Sequence, residues 1–108
     1  MMENLTYFYP AGGSAAKRVL IGVVASGDLE VLLEPAPTGT TSVHITTSVI
    51  GKGNVWGAVL KRIFATDALP AARIDINDCG ATPGVVRLRI EQAFEALNEP
   101  DAKGGRYE

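Results

Sequence analysis

Apolar residues along this chain fall first into short β-branched runs and later recur at helical spacing. The change of period comes at Gly51 to Gly53. "LTYFY", Leu5 to Tyr9, is aromatic and β-prone, and Pro10, Gly12 and Gly13 stop it. Val19 to Ala25 is a nearly continuous apolar run, the pattern of a strand buried on both faces. Ser26-Gly27-Asp28 turns the chain, and "LEVLLEP" resumes as a strand with Glu30 and Glu34 near its ends. After the loop "PAPTGTT", the β-branched stretch Ser42 to Ile50 predicts a further strand.

Beyond Gly53 the period is helical. Trp56, Val59, Leu60, Ile63 and Phe64 form one stripe, an amphipathic helix of about three turns with Lys61 and Arg62 on its wet face. "ARIDIND", Ala72 to Asp78, alternates Ile74 and Ile76 with polar residues and predicts a half-buried strand. Thr82-Pro83 has the form of a helix opening, a hydroxyl N-cap followed by proline at the first helical position. Val86, Ile90, Ala93, Phe94 and Leu97 then make a second stripe, although "VVRLRI" alone also alternates as a strand does. The element order is β-β-β-β-α-β-α. It predicts an α/β (α+β) two-layer sandwich, with about five strands in a mostly antiparallel or mixed sheet and both helices on one face. Four early strands with short connections favour hairpins.

Composition narrows the choice of function. A chain of 108 residues has room for one core, so a single domain over residues 1–98 is expected, followed by a polar tail at 99–108 without apolar periodicity. Such a domain has little room for a deep catalytic cavity, which favours a small carrier, binding module or complex subunit. With a net charge of −2 and scattered Lys and Arg, nucleic acid is not an expected partner. "MMENLTYFYP" lacks the basic and apolar regions of a signal peptide, and no apolar run approaches the roughly 20 residues that span a bilayer, so no membrane is expected either. The single cysteine, Cys79, suits a reducing cytoplasm. Cys79 and His44 stand 35 positions apart and match no metal-ligand spacing; as nucleophile and base they are the weakest reading of the chain.

Two segments carry candidate chemistry. Ser26-Gly27-Asp28 is ordinary turn chemistry on one reading. On the other it is a hydroxyl at the rim of a sheet beside a residue with no side chain, accessible to a modifying enzyme. No histidine lies nearby in the sequence to activate Ser26, so it suits an anchor for a group better than a nucleophile. Asp28 is expected to help orient Ser26. The second segment, "NDCGATPG", joins a strand to a helix N-terminus. It reads either as a tight capped connection or as an anion or partner contact made by Asn77, Asp78, Gly80 and Thr82. It is neither a Walker loop nor a dinucleotide fingerprint. Thr46 to Ser48 reads as a strand edge, and Gly57 as a point of close helix packing.

Together, "GVVASGDLEVLLEP", "ITTSV", "VWGAVLKRIF" and "INDCGATPGVVRLRIEQAFE" resemble the acyl carrier (delta) subunit family of malonate decarboxylase, in order and spacing, from about Leu5 to Leu97. Two departures stand out: Cys79 replaces an expected aromatic residue, and the polar tail is long. The resemblance implies a 2'-(5''-phosphoribosyl)-3'-dephospho-coenzyme A group joined through a phosphodiester to the serine matching Ser26. The group's thiol would carry acetyl and malonyl. It also implies an acyltransferase (alpha) partner, a carboxyltransferase-like decarboxylase (beta and gamma) pair and a holo-carrier transferase that loads the arm. The chain itself would be a non-catalytic, cytoplasmic carrier in the conversion of malonate to acetate and CO2. The rival readings are a citrate lyase-type carrier and a structural adaptor.

Overall fold

The computed structural model describes residues 1–65 and 69–99. The strands are β1 (Glu3–Pro10), β2 (Val19–Gly22), β3 (Asp28–Pro35), β4 (Thr40–Thr47) and β5 (Ala72–Cys79); the helices are α1 (Gly53–Phe64) and α2 (Pro83–Ala96). Their order along the chain is the one the periodicity predicts. The expected tail lies outside the described residues from position 100 onward.

The strands form one mixed sheet in the order β1-β4-β5-β3-β2. The β4–β5 pair is parallel, with α1 as the crossover such a pair requires; the other three pairs are antiparallel. Of the early strands only β2 and β3 make a hairpin. β5 inserts between β3 and β4, so the expected run of hairpins gives way to long-range pairing.

Burial alternates along β1, β3, β4 and β5. One face is therefore covered while the other meets water. Leu29, Val31, Leu33, Val43, Ile45, Ile74 and Ile76 point into the core, where Trp56, Leu60 and Ile63 of α1 meet Val86, Ile90, Ala93 and Phe94 of α2. Both helices thus pack on the same face. Phe64 joins them to the sheet, stacking on Tyr9 at 4.7 Å and meeting Phe94 edge-on at 5.9 Å. The Tyr7 hydroxyl donates to the Gly53 carbonyl at 2.8 Å, fixing the start of α1 over β1. Gly57 also lies over Tyr7, but a Cβ there would sit 3.7 Å from the ring, an ordinary contact.

Strand β2 corrects one expectation. It ends at Gly22 rather than Ala25, lies at the sheet edge and is not buried on both faces: Leu20 is 60% exposed, and Val23 and Val24 are exposed as well. Gly22 adopts φ +86°, which takes the chain out of the extended conformation. Strand β4 likewise stops at Thr47, short of the expected Ile50, because the Thr47 hydroxyl accepts the Val49 N–H at 3.0 Å and turns the chain.

Candidate functional site

The β2–β3 connection closes in a four-residue turn in which the Asp28 N–H donates to the Ala25 carbonyl at 2.9 Å. Gly27 is the third residue and has φ +78°, as a type II turn requires. Ser26, the second residue, is exposed, and its hydroxyl makes no hydrogen bond among the described residues. A Cβ placed on Gly27 would meet nothing within 4 Å, so the space beside Ser26 is open.

This exposed tip stands on a fixed base. The Gly27 N–H donates to the Cys79 carbonyl at 2.6 Å, tying the turn to the end of β5. Arg89 of α2 grips the Asp28 carboxylate through Nε at 3.1 Å and a terminal nitrogen at 2.9 Å. The Leu29 N–H adds a third bond, at 2.7 Å. The Arg89 hydrogen bonds, then the Leu29 amide, hold the Asp28 carboxyl below its ordinary value. Asp28 therefore supports the turn by anchoring its second leg, not by bonding to the Ser26 hydroxyl. Arg89, 61 positions away, is the site residue that the sequence reading misses.

The second predicted segment divides. Asn77 lies on the open face of the sheet and donates to Glu30 at 3.2 Å. Asp78 lies on the covered face and is 4% exposed. Its carboxylate accepts from the Thr47 hydroxyl at 2.8 Å, the Gly80 N–H at 3.2 Å and the Ala81 N–H at 3.0 Å. The amides an anion would need are thus occupied by the chain's own side chain. Thr82 caps α2, its hydroxyl accepting from the Val85 N–H at 3.3 Å, and Pro83 takes the first helical position. This geometry supports a tight capped connection and does not assemble Asn77, Asp78, Gly80 and Thr82 into one site.

Asp78, Gly80 and Thr82 nevertheless share a feature, a cleft of about 340 Å³ between the starts of α1 and α2. Trp56, Val59 and Val86 form its apolar wall, and Lys52 is at its edge. The cleft adjoins the turn, since a Cβ on Gly80 would lie 4.0 Å from the Gly27 nitrogen.

Cys79 and His44 do not meet. His44 pairs in register with Asp75, four positions before Cys79, so the two are separated by roughly 13 Å along the strands. Among the described residues no group of three or more His, Cys, Asp or Glu gathers around a common point, and no helix is long and apolar enough to cross a membrane.

The family model "Malonate decarboxylase delta subunit (MdcD)" matches residues 16–97, which take in the Ser26 turn, the Asp78 connection and both helices. The chain belongs to the malonate decarboxylase delta-subunit family. Relatives named malonate decarboxylase acyl carrier protein resemble it over most of its length. One from Pseudomonas aeruginosa (strain UCBPP-PA14) is 57% identical over 94 residues, covering 87% of this chain and 95% of the relative. One from Azotobacter vinelandii (strain DJ / ATCC BAA-1303) is 50% identical over 97 residues, covering 90% and 98%. A chain from the crystal structure of a Pseudomonas malonate decarboxylase hetero-tetramer in complex with malonate superposes with a TM-score of 0.87 at 50% identity, covering 89% of this chain and 99% of that one.

Proposed function

We propose that this delta-subunit family member is the acyl carrier of a biotin-independent malonate decarboxylase, a non-catalytic subunit whose arm is attached at Ser26. The observation that carries the reading is the state of that hydroxyl: exposed, without a hydrogen bond among the described residues, at the tip of a turn and flanked by open space at Gly27. A loading enzyme needs access to the oxygen, and a carrier needs a fixed point from which an arm can reach several partners. The Cys79 and Arg89 contacts supply the fixed point. Among the described residues no base bonds to the Ser26 hydroxyl, which suits attachment rather than attack.

The residues present fit the 2'-(5''-phosphoribosyl)-3'-dephospho-coenzyme A group. Its phosphodiester would be held by the Ser26 oxygen, in front of a glycine that leaves it room. When bound, the group supplies a terminal thiol, the acyl-bearing atom of the carrier. The chain's own contribution is placement: tethering replaces free diffusion with an effective concentration that reaches the millimolar range for a short flexible connection. Acetyl and malonyl would be exchanged at an acyltransferase (alpha) subunit, and carbon dioxide lost at the beta and gamma decarboxylase pair, in the cytoplasm. A holo-carrier transferase would load the arm. The Pseudomonas malonate decarboxylase assembly, a hetero-tetramer, agrees with a multisubunit setting.

Intact-mass measurement of the chain co-expressed with its loading enzymes tests the reading. A nucleotide-sized increment is expected on the wild type and none on Ser26→Ala. A wild-type chain that stays unmodified in an active complex refutes it.

A further inference from the structure

We propose that the cleft beside the Ser26 turn is a docking site for the adenosine end of the carrier's own arm. The inference rests on the proposed attachment at Ser26 and adds a second, noncovalent foothold. Attachment through the 5''-phosphate places one ribose between Ser26 and the adenosine, so the nucleoside is the bulky part nearest the tether. The cleft begins where the tether is fixed. Cys79 accepts the Gly27 N–H, and Gly80 and Ala81, the next two residues, line the cleft.

Size and chemistry match that occupant. At about 340 Å³ the cleft is at the lower end of small-molecule sites, which run from roughly 300 to 1,000 Å³. It suits a nucleoside and is too small for the whole arm. Val55 and Val59 offer apolar surface to a base, backed by Trp56 and Val86, which also line the cleft but are almost wholly buried. Lys52 is exposed at the edge and makes no ion pair among the described residues, so it complements the diphosphate that follows the nucleoside. Asp78, the acidic group in the wall, is already engaged by three donors. Docking the nucleoside would hold the root of the arm against the sheet and leave the pantetheine portion free to move between partners.

Trp56 is the only tryptophan in the chain, so its emission reports on the cleft without labelling. Loaded and unloaded chain, distinguished by intact mass, are compared by Trp56 fluorescence and backbone amide shifts, and free dephospho-coenzyme A is titrated into unloaded chain up to the millimolar range. Loading is expected to change the emission and shift the amides of Val55, Val59, Ala81 and Val86, and the free nucleotide is expected to shift the same set. Ala81→Leu, which fills the cleft, and Val55→Phe, at a half-exposed helix position that tolerates bulk, are each expected to weaken the free nucleotide at least tenfold and to abolish the loading shifts while the mass increment stays. Cleft residues unshifted in a loaded chain, or a free nucleotide that binds both variants as well as wild type, overturn this inference and leave the carrier reading standing. A wild-type chain that cannot be loaded overturns both.

Discussion

Replacing Asp78 with alanine removes the acceptor that joins two connections of the fold. The carboxylate takes hydrogen bonds from Thr47, at the end of β4, and from Gly80 and Ala81, at the approach to α2. Thr47 has no exposed surface, so its hydroxyl loses its carboxyl acceptor with no water to replace it, at a cost of about 1.5–3 kcal/mol. The two amides are only partly buried, and hydration leaves a cost of about 0.5–1 kcal/mol each. A loss of about 2.5–5 kcal/mol is a large share of the roughly 5–15 kcal/mol that stabilises a domain of this kind. Urea unfolding followed through Trp56 should show the midpoint falling with the slope unchanged, and thermal unfolding should drop by about 10 °C or more. Asp78→Asn keeps one acceptor for Ala81 but turns an amino group toward Gly80, so about half the loss is expected. An alanine variant less than about 1 kcal/mol below wild type would refute the assignment of Asp78 as the clasp of this end of the molecule.

Other perturbations probe the turn and the α1 contact. Gly22→Ala puts a Cβ into the Leu29 carbonyl oxygen at φ +86° and should cost clearly more than Gly27→Ala, where nothing is near and only about 1–2 kcal/mol of left-handed strain applies; chemical denaturation of the pair gives the ranking. Tyr7→Phe deletes the bond to Gly53 and should cost about 1 kcal/mol in the same assay. Because the Asp28 carboxyl titrates below its ordinary value in the folded chain, its pairing with Arg89 stabilises the fold at neutral pH. That contribution is lost as pH falls from the ordinary carboxylate range through the depressed folded value. The stability gap between wild type and Asp28→Asn should therefore be widest at neutral pH and narrow as pH falls below the ordinary carboxylate range.

Much of the architecture is legible because most elements are amphipathic on their own. The alternation of Ile74 and Ile76 and the stripes through Trp56 and Val86 survive as buried faces in the fold. Strand β2 and the residues after it depart from the expected burial because Leu20, Val23 and Val24 are as apolar as core residues yet lie exposed, and periodicity carries no label for which face is covered. Strand order was not legible, since inserting β5 between β3 and β4 is a matter of pairing across dozens of residues. At the candidate site Ser26 and Gly27 were visible as a turn with an accessible hydroxyl. The grip of Arg89 on Asp28 and of Asp78 on Thr47 was not visible, because side chains 61 and 31 positions apart meet only once the sheet and helix are assembled.

Malonate decarboxylation by the complete complex, reconstituted with loaded wild-type carrier or with Ser26→Ala, tests the central claim most directly. Ser26 is exposed at a turn tip and bonds to nothing among the described residues, so the variant should fold with unchanged stability and dock normally. The account expects carbon dioxide release to fall to the level of a complex lacking the carrier. Release at the wild-type rate with the alanine variant would contradict it.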